Sequence, residues 1–271
     1  MSFNSKKQLI SFLAEDIGKG DITSALLDKK RITVKIISRE KAIVAGVTHA
    51  KEIFKLKGCS AKILKKDGSK IKPNQIIMTI TGDAAKVLMC ERTALNLLTR
   101  MSGIATQTNF LVKKIPSKTK LYATRKTAPG LRYFDKEAVE IGGGKKHRLR
   151  LDEMVMIKDN HIAIHDSLEE LIKKAKKKHK KFEVEVENIS DVTLAAKNGA
   201  AIIMLDNFTP SQIKKAIVTL KNQKLRSKVL LEASGGINSK NITAYGMTGV
   251  DIISVGSITN SVKGIDMSLE I

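Results

Sequence analysis

The rhythm of hydrophobic and polar positions changes about a third of the way along the chain. Leu9, Ile10, Leu13 and Ile17 recur at helical spacing and stop at the polar turn Gly18-Lys19-Gly20-Asp21, the pattern of a short amphipathic helix and its end. Strand-like alternation then appears in Ile32-Thr33-Val34-Lys35-Ile36-Ile37 and in Ala42-Ile43-Val44-Ala45-Gly46-Val47. Lys62-Ile63-Leu64 and Ile76-Ile77-Met78-Thr79-Ile80 flank Asp67-Gly68 and Pro73-Asn74, which are turn residues. These segments predict a small antiparallel sheet with helices on one face. The hairpins also suit a lipoyl-carrier half-barrel, but Lys70 is poorly placed for the hairpin-tip lysine that such a carrier needs. From Ala85 to Ile115 the positions Leu88, Leu95, Leu97, Leu98 and Met101 predict one long helix bridging two domains, with Gly103 as a point of interruption.

After Lys120 short apolar runs repeatedly end in polar residues. Leu121-Tyr122-Ala123 leads into Thr124-Arg125-Lys126, and Met154-Val155-Met156-Ile157 leads into Lys158-Asp159-Asn160. Phe182 to Val186 carries Glu183 and Glu185, with Glu187 next in phase, and Ile202-Ile203-Met204-Leu205 ends in Asp206-Asn207. Val229-Leu230-Leu231-Glu232-Ala233 runs into Ser234-Gly235-Gly236, and Ile252-Ile253-Ser254-Val255 into Gly256-Ser257. Helical stretches such as Leu168 to Ala175 and Ile213 to Leu220 lie between most of them. Such alternation calls for parallel strands joined by right-handed crossovers. Polar residues and glycines at the strand ends point to a (β/α) barrel with its chemistry at that rim. An open doubly wound sheet is the second arrangement; no GxGxxG opens a helix after a first strand, which argues against a dinucleotide fold. The expected organisation is an α/β protein: an N-terminal domain over 1–103, a barrel over 104–261, and a tail, 262–271, returning to the first domain.

Composition narrows the function classes. The 49 Lys and Arg against 27 Asp and Glu give a net charge of +22 over 271 residues, which favours anionic partners. Much of that charge is solvated surface: Lys173 to Lys181 reads as the exposed end of a helix. Cys59 and Cys90 have no CxxC spacing, so neither a zinc site nor a disulfide framework is expected. The first 17 residues lack the apolar core of a signal peptide, and no apolar run reaches the roughly 20 residues that span a bilayer. A cytoplasmic location follows as the expectation, with no membrane partner.

The chemistry concentrates between Tyr122 and His161. Thr124-Arg125-Lys126-Thr127, Gly142-Gly143-Gly144-Lys145-Lys146-His147-Arg148 and Lys158-Asp159-Asn160-His161 place cations beside turn residues. Arg is a planar fork matched to carboxylate and phosphate, and Lys is a movable point charge. Arg125, Lys126, Arg148 and Lys158 are therefore expected to converge on a small anion, with His147 beside them. His161 is expected to orient its loop rather than bind metal. Glu185 and Asp206 cap adjacent strands and would bring two carboxylates to a cationic rim, where Mg²⁺ held by a diphosphate would neutralise them. Ser234-Gly235-Gly236 and Gly256-Ser257 supply glycine-rich loops suited to a phosphate.

On these residues the chain resembles the quinolinate phosphoribosyltransferases nearly end to end. The motifs include Glu15-Asp16-Ile17-Gly18-x-Gly20-Asp21-Ile22-Thr23, Glu91-Arg92-Thr93-Ala94-Leu95-Asn96, Ser102-Gly103-Ile104-Ala105-Thr106 and Thr124-Arg125-Lys126-Thr127-x-Pro129-Gly130. They continue through the Gly142 to Arg148 loop, Ile157 to His161, Glu183 to Glu187, Met204-Leu205-Asp206-Asn207, Leu231 to Gly236 and Ser254-Val255-Gly256. The resemblance implies an N-terminal open-faced sandwich joined to an incomplete (β/α) barrel, in a homodimer with shared active sites. It implies that Thr124, Arg125, Lys126, His147, Arg148 and Lys158 bind quinolinate and nearby phosphate, with Arg92 reaching in from the partner. Glu185 and Asp206 would face the ribose and Mg²⁺, and Ser234, Gly235, Gly236, Gly256 and Ser257 a phosphate. Lys126, Lys158, Glu185 and Asp206 would carry catalysis. The implied reaction joins quinolinate and phosphoribosyl pyrophosphate, giving nicotinate mononucleotide, pyrophosphate and carbon dioxide. The chain departs from the pattern at Arg150, where such proteins commonly carry Gly, and at Glu153, which replaces a frequent Asp. A related molybdenum-cofactor-associated pyrophosphorylase-like protein is the rival within the class, disfavoured by Lys158-Asp159-Asn160-His161. A basic nucleic-acid-binding protein rests on charge alone, and 4% aromatics without Trp supplies no stacking platform.

Overall fold

The structure is a computed structural model that describes residues 4–271. Along the chain the elements run α1 (Ser5–Ile17), β1 (Arg31–Ser38), β2 (Ala42–Ile43), α2 (Val47–Leu56), β3 (Ser60–Ile63), β4 (Lys70–Ile71), β5 (Gln75–Asp83) and α3 (Ala84–Val112). There follow β6 (Lys120–Tyr122), α4 (Arg132–Ile141), β7 (Val155–Ile157), α5 (Asp159–His165), α6 (Leu168–Lys178), β8 (Phe182–Val186) and α7 (Ile189–Asn198). The last are β9 (Ile202–Asp206), α8 (Pro210–Asn222), β10 (Leu230–Ser234), β11 (Ile252–Ser254) and β12 (Met267–Glu270). The chain divides into two compact units. One comprises the chain up to Asn109 with Thr127–Gly143 and Ile258–Ile271; the other comprises Phe110–Lys126 and Gly144–Ser257.

The first unit is built on an antiparallel sheet of order β12-β1-β5-β3. Alternation in β1 and β5 buries Val34, Ile36, Met78 and Ile80, and α2 contributes Ala50, Ile53 and Phe54 to the same unit's core. The tail pairs with β1 in the register Lys35↔Glu270 to Ser38↔Met267. Gly103 does not interrupt α3, which continues nine residues beyond it. The glycine is there for closeness: a Cβ at that position would lie 2.1 Å from the carbonyl oxygen of Lys263, so any side chain would push the returning segment away.

His49 on α2 is half-buried, its ring edge-on to Tyr133 at 6.2 Å and to Phe134 at 5.0 Å. Burial lowers its pKa, while the charges of Asp67 and Glu137 partly oppose that shift. An unfolded imidazole titrates near pH 6.5, so on acidification the unfolded chain takes up the proton first. Stability from this group is intact above that pH and falls as the pH drops from it toward the lowered folded value. Thermal melts between about pH 7.5 and about pH 5 should show a decline in Tm that His49→Gln flattens. Equal slopes in the two proteins would remove His49 from the account.

The second unit is a parallel sheet of order β6-β11-β10-β9-β8-β7. Its end strands, β6 and β7, do not pair with each other, so the barrel is incomplete. Crossover helices follow the strands, and three of them have a capping side chain at their start. Ser167, Asn188 and Thr209 accept backbone N–H groups at the starts of α6, α7 and α8, the ordinary N-cap chemistry. The lysine run from Lys173 to Lys178 forms the polar face and end of α6, which buries Leu168, Ile172 and Ala175. No helix among the described residues is long and apolar enough to cross a membrane.

Candidate active site

Because the six strands are parallel, their C-terminal ends lie on one side of the sheet, and each run delivers its last residues there. The segment after β6 provides Thr124, Arg125 and Lys126, with the Lys126 N–H donating to Thr124 Oγ1 at 3.1 Å. A second segment is stitched to this strand: Lys145 N–H donates to the Leu121 carbonyl at 2.8 Å, and Ala123 N–H to the Lys145 carbonyl at 2.9 Å. This pairing carries His147 and Arg148 alongside. Lys158 follows β7 as the N-cap of α5, and its N–H donates to His161 Nδ1 at 3.0 Å. His161 therefore orients the loop, as its position in the sequence suggests. From β8, β9 and β10 come Glu185, Asp206 and Ser234. Together these side chains line a cavity of about 330 Å³ floored by Met156, Met204 and Glu232.

The wall is strongly polarised. Lys158 Nζ is ion-paired with Glu185 Oε2. Arg148 Nη1 donates to the Met154 carbonyl at 2.9 Å, and Nη2 sits 3.3 Å from Met156 Sδ. Burial lowers the pKa of this guanidinium, and the neighbouring charge of Arg125 lowers it further. Two guanidinium groups are thus held near each other in a partly dry site, an arrangement that an entering anion relieves. Asp206 Oδ2 accepts a hydrogen bond from Asn207 Nδ2 at 2.7 Å. Next door, Asn207 N–H donates to the Ser234 carbonyl at 2.9 Å. A Cβ on Gly235 would lie 2.2 Å from Asn207 Oδ1 and 2.7 Å from its nitrogen, and the φ of Gly235 is +91°. Only glycine allows the two strand ends to meet.

Beneath this wall lies a buried polar cluster. His147 Nε2 is 3.3 Å from Glu183 Oε2 and 3.5 Å from Glu232 Oε2, and both glutamates are fully buried. The Arg148 N–H donates to His147 Nδ1 at 2.7 Å, and Tyr122 packs edge-on against the imidazole at 5.7 Å. Burial lowers the His147 pKa, but the two carboxylates outweigh it and lift the value to about 9. The backbone N–H on Nδ1 opposes them, because a second ring proton would face a donor. The hydrogen bonds are built for a neutral ring with its proton on Nε2, and that is the form we assign. Burial likewise raises the Glu183 carboxyl, with His147 opposing. His147 also has a φ of +53°, which costs a residue with a side chain about 1 kcal/mol or more.

Thr124, Arg125, Lys126, His147, Arg148, Lys158, Glu185, Asp206 and Ser234 therefore come together around one cavity. Gly235 and Gly236 follow Ser234 at the end of β10, and Gly256 and Ser257 follow its parallel neighbour β11. Arg92 lies exposed on α3 in the first unit and does not line this cavity. Arg150 is exposed, with Nε 3.1 Å from Asp152 Oδ1 and 3.6 Å from Glu153 Oε1. Glu153 in turn accepts the Leu149 N–H at 2.6 Å, so both departures from the family pattern sit in one local turn. Sequence reasoning gave no role to Glu232, and set Glu183 only in phase with Glu185 and Glu187 along its strand. The available signal was at Glu232, an acid inside an otherwise apolar strand run.

Comparison with known proteins places this geometry in a family. Residues 21–102 match the N-terminal domain of quinolinate phosphoribosyl transferase, and residues 104–270 match its C-terminal domain. The chain is 44% identical over 264 residues to a probable nicotinate-nucleotide pyrophosphorylase (carboxylating) of Methanothermobacter thermautotrophicus, covering 94% of this chain and 95% of that one. It is 40% identical over 274 residues to the protein of the same name from Bacillus subtilis, covering 98% and 93%. Among solved structures, the nicotinate-nucleotide pyrophosphorylase from Francisella tularensis superposes with a TM-score of 0.91 at 40% identity, over 98% of this chain and 95% of that one. The chain belongs to the quinolinate phosphoribosyl transferase family.

Proposed function

We propose that the chain transfers the phosphoribosyl group of phosphoribosyl pyrophosphate to quinolinate, releasing pyrophosphate and carbon dioxide and giving nicotinate mononucleotide. The observation that carries this reading is the crowding of Arg125, Lys126, Arg148 and Lys158 around one small cavity that also holds Glu185 and Asp206. Quinolinate brings two adjacent carboxylates, which suit the guanidinium forks, and the donor brings phosphoryl oxygens, which suit the lysine point charges. Cations held at fixed places around a cavity stabilise developing charge with little rearrangement.

The ring nitrogen of quinolinate attacks the anomeric carbon while the bond to pyrophosphate breaks. The departing electron pair resides on a pyrophosphate oxygen, where Lys126 and Lys158 neutralise it. Glu185 and Asp206 face the ribosyl centre and stabilise its positive character. Once the ring nitrogen is quaternary, the bond to the adjacent carboxylate breaks, carbon dioxide leaves, and the electron pair stays on the ring carbon beside the pyridinium. A proton then completes the ring. Ser234, Gly235, Gly236, Gly256 and Ser257 at the rim receive a phosphate through backbone and hydroxyl donors. No side-chain nucleophile enters this scheme.

The donor set of Glu185 and Asp206 fits Mg²⁺ carried by the substrate. One oxygen of Glu185 faces Lys158 and one of Asp206 accepts from Asn207, which leaves each a second oxygen for the ion or its water. Mg²⁺ bound there would offset the charge on pyrophosphate. In this reading the enzyme works in the cytoplasm as a homodimer, with Arg92 serving the partner's site. The test is incubation of the purified protein with quinolinate, phosphoribosyl pyrophosphate and Mg²⁺, with nicotinic acid as the control acceptor. Nicotinate mononucleotide and carbon dioxide from quinolinate alone are expected. Product from nicotinic acid only would overturn the two-carboxylate role of the cationic wall.

A further inference from the structure

The His147 cluster has a feature that the reaction scheme leaves unused. Glu183 on β8 and Glu232 on β10 are both fully buried, and no hydrogen bond from another described residue reaches their four carboxylate oxygens. Buried carboxylates need a donor, and the polar atom near both is His147 Nε2, at 3.3 Å and 3.5 Å. On the other edge of the ring, Nδ1 takes the Arg148 N–H. The imidazole is thereby gripped from both sides, and its backbone is in the left-handed region. That conformation turns the chain so that Arg148, one residue on, reaches the cavity wall and hydrogen-bonds the Met154 carbonyl.

We propose that Glu183 and Glu232 are positioning residues that hold His147 as the Nε2–H tautomer, so that its Nδ1 fixes the Arg148 backbone and sets that guanidinium for a carboxylate of the acceptor. The inference rests on reading the cavity as the quinolinate site. The same three side chains have the donor spacing of a divalent-cation site, their ligand atoms lying within 4.8 Å of one another. The hydrogen bond to Nδ1 decides between the two. A metal on Nε2 would force the ring proton onto Nδ1, against the Arg148 N–H, whereas the Nε2–H tautomer leaves Nδ1 free to accept that N–H and turns a donor toward the two carboxylates.

The test combines a spectroscopic signature with a kinetic split. In ¹⁵N-histidine-labelled protein, with the resonance assigned by its loss in His147→Gln, Nε2 should be protonated and Nδ1 unprotonated. Glu183→Met and Glu232→Met remove the acceptor while keeping the length of the side chain. Each should raise KM for quinolinate about tenfold, the effect of losing one hydrogen bond at a buried site. KM for phosphoribosyl pyrophosphate should change far less. Glu183→Gln and Glu232→Gln keep an acceptor oxygen, so their KM increase should be smaller than that of the Met variants. An Nδ1–H tautomer, stoichiometric tightly bound metal with a metallated Nε2, or an unchanged quinolinate KM in the Met variants would each overturn the proposal. If the Met variants do not fold, the wild-type spectrum and the Gln series still decide it. Wild-type protein that makes no nicotinate mononucleotide would defeat the functional reading instead, and the nitrogen spectrum would still report on the cluster.

Discussion

Lys158→Met is expected to lower kcat for nicotinate mononucleotide formation by about 10²–10³-fold while leaving the fold intact, the range for removing one preorganised charge at a reacting centre. Two effects act in the same direction. The Nζ that would meet the departing pyrophosphate is gone, and Glu185, whose Oε2 pairs with Lys158, becomes a negative charge without its partner in a wall built for anions. Stability should fall by about 1–2 kcal/mol: the Lys158 side chain is 38% exposed, but the Glu185 carboxylate left behind is only 11% exposed, a cost eased by the nearby charge of Arg148. Lys158→Arg should recover only part of the loss. A fork needs more room than an ammonium and aims its donors in fixed directions. Rapid-quench turnover, set beside thermal melts of the same samples, checks both halves of the expectation. Near-normal turnover with an unchanged melt would remove Lys158 from the mechanism.

The rim was legible in the sequence for a physical reason. In a parallel sheet every strand ends on the same side, so residues that close an apolar run gather without any knowledge of register. Lys158, Asp206 and Ser234 each close such a run, and they line one cavity. Side chains delivered by long-range packing were much less legible. Glu183 and Glu232 lie inside their strands, and the alternation that marks an inward face does not say what waits there. Their partner, His147, arrives on a segment held by two hydrogen bonds between Lys145 and β6, a pairing with no local signature. Gly103 misled in the opposite way. Helix propensity alone makes it a breaker, yet the approach of Lys263 gives the residue its reason and α3 continues through it. The tail strand β12 carries only the weak pattern Met267-Ser268-Leu269-Glu270, and its place beside β1 is set by the pairing itself.

The largest stability effect is expected at a site that sequence reading passed over, the pair between Arg100 on α3 and Asp135 on α4. Arg100 Nε and Nη2 donate to the two carboxylate oxygens at 2.7 Å and 2.8 Å, and Nη2 also donates to the Thr259 carbonyl at 3.0 Å. Asp135 is fully buried, so this is a bidentate pair with one member entirely out of water. Arg100→Leu should cost about 3–5 kcal/mol, chiefly because it strands the carboxylate. For a chain of this size that lowers Tm by roughly 6–20 °C. Burial already raises the Asp135 pKa and Arg100 opposes it, so without Arg100 the folded value rises further. A carboxyl whose folded pKa lies above its unfolded one favours the folded state below the unfolded pKa and loses that contribution as pH climbs. The deficit of Arg100→Leu relative to wild type should therefore shrink on acidification. Arg100→Leu combined with Asp135→Leu should recover most of the loss at neutral pH, since a buried pair exchanged whole for apolar groups is often nearly neutral. Urea denaturation of the two single variants and the double variant closes the cycle. A double variant no more stable than Arg100→Leu would mean that the stranded charge is not the cause, and that the bond from Arg100 to the Thr259 carbonyl carries the stability instead.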